Sequence, residues 1–147
     1  MALRIRPSIV IDRPIEQVWQ YLTDATHDPE WRRPYLKEVR WMGSLATGTR
    51  AEGVDNMGSY IMEITRCEPP VRLSWREISE RSMQQQEGNY ILAREGGGTR
   101  MTLDITYSPI GLKGRLMSSP LSVIGPRLAR RLLNQLKQGV EGGAHHE

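Results

Sequence analysis

Phenylalanine is absent from the 147 residues, and cysteine occurs once, at Cys67. A single thiol excludes an internal disulfide framework and any cysteine-rich metal site. It also fits a reducing compartment. Of the three histidines, His145 and His146 sit in the tail and are given no role. No run of about 18 apolar residues occurs, so no membrane-spanning helix is expected. The opening MALRIRPSIV lacks the roughly 7–15-residue apolar stretch of a secretory leader. A surplus of one charge is missing too: Lys+Arg 20 against Asp+Glu 17 leaves +3, which is no footprint for nucleic acid. The expectation is a cytoplasmic protein without a nucleic-acid partner.

What is present suits a globular chain. Hydrophobic residues make up 38%, and with glycine added the apolar share approaches the globular average. The bulky apolar mass rests on four Trp, five Tyr and seven Met. The length fits one domain, and a chain of this size buries ~68–70% of its unfolded surface without staples. No internal repeat or low-complexity segment appears. A single domain over residues 1–141 is expected, with 142–147 as a flexible tail.

Residues 3–11 (LRIRPSIVI) read as a strand. Asp12-Arg13-Pro14 then signals a helix start, with proline at the first helical position. Ile15, Val18, Trp19 and Leu22 follow at i, i+3, i+4 and i+7, the buried stripe of an amphipathic helix ending near Asp24. Residues 25–35 (ATHDPEWRRPY) read as a turn with at most a short helix. From 36 to 108 the period becomes two, in six strands joined by short turns, which favours an antiparallel meander. After Pro109 the helical period returns, with Leu121, Ile124, Leu128, Leu132 and Leu136 as its stripe and Leu133 and Val140 beside it. Pro120 and Pro126 are expected to kink or segment the front of that helix. Arg127, Arg130, Arg131 and Lys137 fall mostly off the stripe. They read as a solvated face, with transient contact to anionic lipid as the alternative.

The architecture expected is α+β: a seven-stranded curved antiparallel sheet wrapped around a long C-terminal helix, with one or two short helices between strands 1 and 2. A helix about 10–12 Å across cannot fill the concave face of such a sheet. Either bulky side chains complete the core or a cavity remains.

Six pieces, in order, resemble one family. IVIDRPIEQVWQYLTD (9–24) is similar to its strand followed by Pro-x-x-x-Val-Trp and a closing Asp. Trp31 stands where a tryptophan often follows that helix. GTR (48–50) is similar to a strand-opening Gly-Thr, and EPPVRLSW (68–75) to a Pro-Pro-x-x-Leu connection. GNYIL (88–92) with GGGTRMTL (96–103) resembles a Gly-x-Tyr-x-Leu strand and its partner. LLNQLKQGVE (132–141) resembles the closing Leu-x-x-Leu-Lys. The chain thus resembles the START-like helix-grip superfamily (SRPBCC), in its polyketide cyclase/dehydrase and lipid-transport branch. That resemblance implies a cavity for a small hydrophobic molecule, lipid-like or polycyclic. Its motifs are turns, caps and packing positions, so they speak to fold more than to function.

Strand alternation nominates the cavity lining. With Tyr90 and Leu92 inward, Gln84, Gln86 and Gly88 share their face, and Gly88 reads as space left for a ligand. Trp75 brings Leu73, Glu77 and Ser79; Tyr60, Met62 and Ile64 form another set. The expected binding residues are Trp41, Tyr60, Met62, Trp75, Gln86, Tyr90, Leu103, Tyr107, Met117 and Leu121, an apolar chamber with a few polar groups. Glu77 inside such a chamber could act as a general acid or base, and in an enzyme Glu77, Tyr90 or Gln86 would assist by proton transfer or by hydrogen bonding to an enolate. The competing expectation is that the strand ends there and Glu77 is solvated, as Glu63 is on the outward face. Asp24, His27, Asp28 and Glu30 lack zinc-ligand spacing and read as turn and cap residues. No nucleophile elbow or phosphate cradle is present, and no metal or cofactor is expected. Two functions follow: a carrier that sequesters a small apolar molecule, or an aromatase/cyclase or dehydrase that folds its substrate in the same chamber. A partner-binding module with a vestigial cavity is the third. Exposed sheet edges permit either a monomer or a homodimer.

Overall fold

Proline 7 has no N–H to give a ladder, and it divides the first strand in the computed structural model. The two halves, β1 (Leu3–Ile5) and β2 (Ser8–Ile11), both pair antiparallel with the last strand, while the Pro7 carbonyl accepts a bond from the Leu103 N–H. The sheet therefore counts eight strands, where one uninterrupted first strand would give seven. The structure describes all residues except 1–2, 25–26, 34–35, 56–57, 80–83, 110 and 144–147, and the side chains of 28–29, 84, 109, 111–124 and 143 also lie outside the description.

Helix α1 (Ile15–Thr23) buries Ile15, Val18, Trp19 and Leu22, the stripe read from the sequence. Pro14 sits one place earlier than expected, at the N-cap, where its carbonyl accepts the N–H groups of Gln17 and Val18. The short α2 (Asp28–Trp31) follows. Strands β3 (Leu36–Trp41), β4 (Arg50–Asp55), β5 (Gly58–Glu68), β6 (Arg72–Glu77), β7 (Gln84–Glu95) and β8 (Gly98–Pro109) form the meander. The sheet order is β1-β8-β7-β6-β5-β4-β3, with β2 also on β8. Helix α3 (Gly111–Gly143) is one element through Pro120 and Pro126, so the expected segmentation does not occur, and it runs past the boundary placed at Glu141. No described helix is long and apolar enough to cross a membrane.

The second half of α3 is docked by Ala129, Leu133, Leu136 and Val140, all buried. Their spacing of four, three and four is a helical stripe. It lies slightly around from the expected one: Leu128 and Leu132 are only half-buried, because Leu133 takes the central place. Polar contacts close the end. Lys137 pairs with Glu141 and donates to the Val10 carbonyl. The Asp12 N–H and the Arg13 guanidinium reach Glu141 as well. Lys137 is thus a structural cation, whereas Arg127, Arg130 and Arg131 are exposed as expected.

On the outer face a polar network ties four strands. Arg4 donates twice to the Asp104 carboxylate, at 2.9 Å each. Asn89 donates to Asp104 and accepts from Ser74 and Arg72. The Arg4 hydrogen bond, and then the charges of Arg4 and Arg6, hold the Asp104 carboxyl below the usual carboxylate range, against the cost of its burial. A carboxylate with a lowered folded-state pKa stabilises above its unfolded pKa of about 3.9, and that contribution is lost as pH falls through the folded value. Asp104→Asn is therefore expected to lower Tm by a few degrees at neutral pH. The gap to the parent should close below about pH 4. A Tm-against-pH series on both proteins checks this; two parallel curves would remove Asp104 as the source.

Candidate inner-face site

Cross-strand register lays the inward side chains out in rows. Val39, Gly53 and Tyr60 form the first. Trp41, Ala51, Met62 and Glu77 form the second. Ile64, Trp75, Gly88, Ile105 and Ile5 form the third. Leu73, Tyr90 and Leu103 form the fourth, and Gln86, Tyr107 and Leu3 the fifth. Tyr60, Met62, Trp75, Tyr90 and Leu103 are buried, and Trp41, Gln86 and Tyr107 are half-buried. These eight sequence-predicted residues share one face of the sheet. Met117 and Leu121 lie outside the residues whose side chains are described, as does Gln84.

Of the two expectations for Glu77 the solvated one fails: the residue closes β6 at 5% exposure, carried inward opposite Met62 by the alternation. Glu63 does face outward, bonded to Arg76. Gly88 leaves no free space. A Cβ built there would stand 2.6 Å from Cζ2 of Trp75, so the glycine is the floor on which the indole lies. Gly53 does the same for the Tyr60 ring. The Tyr60 and Trp75 rings thus each lie against a glycine of the neighbouring strand.

The residues that sequence reasoning left out are Arg32, and Trp31 as a site residue. Trp31 closes α2 and is 1% exposed. The Gln135 amide of α3 donates to the backbone carbonyls of Trp31 and Arg33, at 2.7 and 3.0 Å, and so fixes the intervening residue. The Arg32 guanidinium carbon then lies 4.8 Å from the Trp31 ring centre, 5.5 Å from Tyr90 and 5.7 Å from Trp75. The rings meet edge to face, Trp31 with Tyr90 at 6.0 Å and Trp75 with Tyr90 at 6.3 Å, a favoured aromatic geometry. Burial pushes the Tyr107 phenol upward, opposed by the nearby Arg32 charge and reinforced by Asp55. Among the described residues, the buried Nε1 atoms of Trp31, Trp41 and Trp75 have no hydrogen-bond partner.

Other clusters are spoken for. His27 stacks on Tyr21 at 4.2 Å and bonds Glu30 through Nδ1 at 2.6 Å, while its other nitrogen is 3.6 Å from Asp24. No metal-holding group of acidic, histidine or cysteine residues occurs among the described residues. Burial raises the Cys67 thiol, which makes it a poorer nucleophile at neutral pH. A groove of about 550 Å³ lies along β3, β4 and β5. Most of its walls are outward positions, among them Glu38, Arg40, Glu52, Val54, Ser59 and Ile61. Its charged pair, Arg40 and Glu52, is satisfied internally at 2.9 Å.

The family described as polyketide cyclase/dehydrase and lipid transport matches over residues 2–141. No curated protein matches the chain. Among solved structures, a protein from Thermus thermophilus is 21% identical with a TM-score of 0.78, covering 96% of this chain and 99% of that one. The Zhui aromatase/cyclase from a Streptomyces species is 11% identical with a TM-score of 0.80, over 96% and 94%. Norcoclaurine synthase from Thalictrum flavum is 11% identical with a TM-score of 0.71, over 98% and 97%. At these identities the likeness is one of fold.

Proposed function

We propose, for a chain that belongs to the polyketide cyclase/dehydrase and lipid-transport family, that the inner face of the sheet, under α3, binds a small hydrophobic ligand with a flat ring system. The observation that carries this reading is the trio of buried indole N–H groups without a partner. A core built only for stability satisfies its buried donors, and each one left unmade costs about 1–3 kcal/mol. Two on the inner sheet face, Trp41 and Trp75, and a third on α2 against Tyr90 of that face suit a site completed by an acceptor-bearing guest. Binding is driven by removal of apolar ligand surface from water, at ~25 cal/mol per Å², and the few polar groups set orientation.

The test is thermal. N-phenyl-1-naphthylamine, a neutral polycycle, should raise Tm in proportion to the logarithm of its concentration. At one hundred times its Kd the stabilisation is about 2.7 kcal/mol. Native mass spectrometry of the same sample should show a one-to-one adduct. If a panel of neutral polycycles gives neither shift nor adduct, the reading fails.

A second reading, catalysis of the aromatase/cyclase or dehydrase kind, draws on one observation: the buried carboxylate of Glu77 on the same face. A buried carboxyl group can move a proton for a substrate whose other atoms are held by packing. Glu77→Gln keeps the shape and removes the acid. Under this reading turnover of a poly-ketone substrate falls about 10²–10⁴-fold while binding persists. Unchanged turnover returns Glu77 to a purely structural place.

A further inference from the structure

From the surroundings of Arg32 we infer that the ligand is an oxyanion: a flat, ring-bearing molecule with a carboxylate or ionised enol or phenol, gripped by the guanidinium edge. The inference rests on the interior-binding reading above and names the ligand's charge, which that reading leaves open.

Three aromatic rings lie within 6 Å of the Arg32 guanidinium carbon. Rings attract a guanidinium through their faces, and contact of that kind uses none of its N–H groups. The five donors lie in the plane of the fork, which matches a carboxylate bidentately. Arginine is always charged, so a half-buried guanidinium held by rings gains most from a partner of opposite sign. The other polar groups nearby are donors too. The Nε1–H groups of Trp31 and Trp75, both on rings that contact Arg32, lack acceptors. The Tyr107 phenol is kept protonated by burial and feels the Arg32 charge. The carboxylates of the region, Asp55 and Glu77, already have partners of their own. Two indole N–H groups, one phenol and one guanidinium make a site rich in donors. Its complement is an acceptor with negative charge, on a body flat enough to lie among tryptophans. The anchors from Gln135 to the carbonyls of Trp31 and Arg33 fix the backbone that carries Arg32 before any ligand arrives, which lowers the ordering cost on binding.

The experiment compares near-isosteric probes by isothermal titration at low salt. These are 2-naphthoate, anionic, and 2-naphthamide, neutral; 4-nitrophenolate at pH 8.5 tests the phenolate form. The expected result is binding of 2-naphthoate at least about ten-fold tighter than 2-naphthamide, a preference that shrinks with added salt. Arg32→Met should erase the preference, weakening 2-naphthoate about ten-fold or more and leaving 2-naphthamide within about two-fold. Arg32→Lys, which keeps the charge and loses the fork, should recover part of it. Circular dichroism confirms that each variant folds. Binding of 2-naphthamide as tight as 2-naphthoate overturns the inference and leaves the interior-binding reading standing. A preference that survives Arg32→Met overturns it as well, by placing the anion elsewhere. Failure of both probes to bind removes the two ideas together.

Discussion

Leu136→Ala is expected to destabilise the fold by about 2–5 kcal/mol and to lower Tm by roughly 5–15 °C. Leu136 is 0% exposed and stands between Leu133 and Val140 on the stripe by which α3 meets the sheet. Deleting its isobutyl group leaves a hole bounded on one side by a β-sheet, which cannot collapse into it. The same change at Leu128, half-buried about two turns earlier in α3, should cost less than half as much. Urea unfolding of both variants measures the contrast. If Leu136→Ala costs under about 1 kcal/mol, the helix is not seated as the structure has it. The consequence reaches function, because α3 also carries Gln135, the residue that holds the carbonyls of Trp31 and Arg33 on either side of Arg32.

The sequence was most legible where side chains repeat with the period of their backbone. Alternation along 60–64, 73–77, 90–92 and 101–105 places each inward residue correctly, because a strand has only two faces and one of them is buried. The stripe of α1 is legible for the same reason. Glu77 shows the limit: its position in the alternation pointed inward and its charge pointed out, and position prevailed. Trp31 and Arg32 were illegible for a different reason. They sit in ATHDPEWRRPY, which has no period, and their placement depends on Gln135, about one hundred residues away. Charge conveyed nothing either, since Arg32 and Arg33 are adjacent and only one lies among the rings.

Gly88 is the clearest case of a residue whose meaning waited on register, and it carries the second large effect. Seen alone in a strand, a glycine that faces the interior suggests room for a guest. Pairing of β6 with β7 sets Trp75 directly opposite, and the indole occupies that room. Gly88→Ala should therefore force Trp75 out of its place, at about 1–3 kcal/mol of stability. A β-carbon 2.6 Å from Cζ2 and 2.9 Å from Cε2 cannot be accommodated by a small shift, because the indole is itself packed against Tyr90. Near-UV circular dichroism should change with it, and 2-naphthamide binding should weaken, since the ring surface moves. The cause is isolated by a double-mutant cycle. In a Trp75→Leu background the alanine meets open space, and its further cost should fall to within about 0.5 kcal/mol of zero. If Gly88→Ala costs as much with leucine at position 75 as with tryptophan, the strain lies in the backbone and the paired rings are not what this glycine serves.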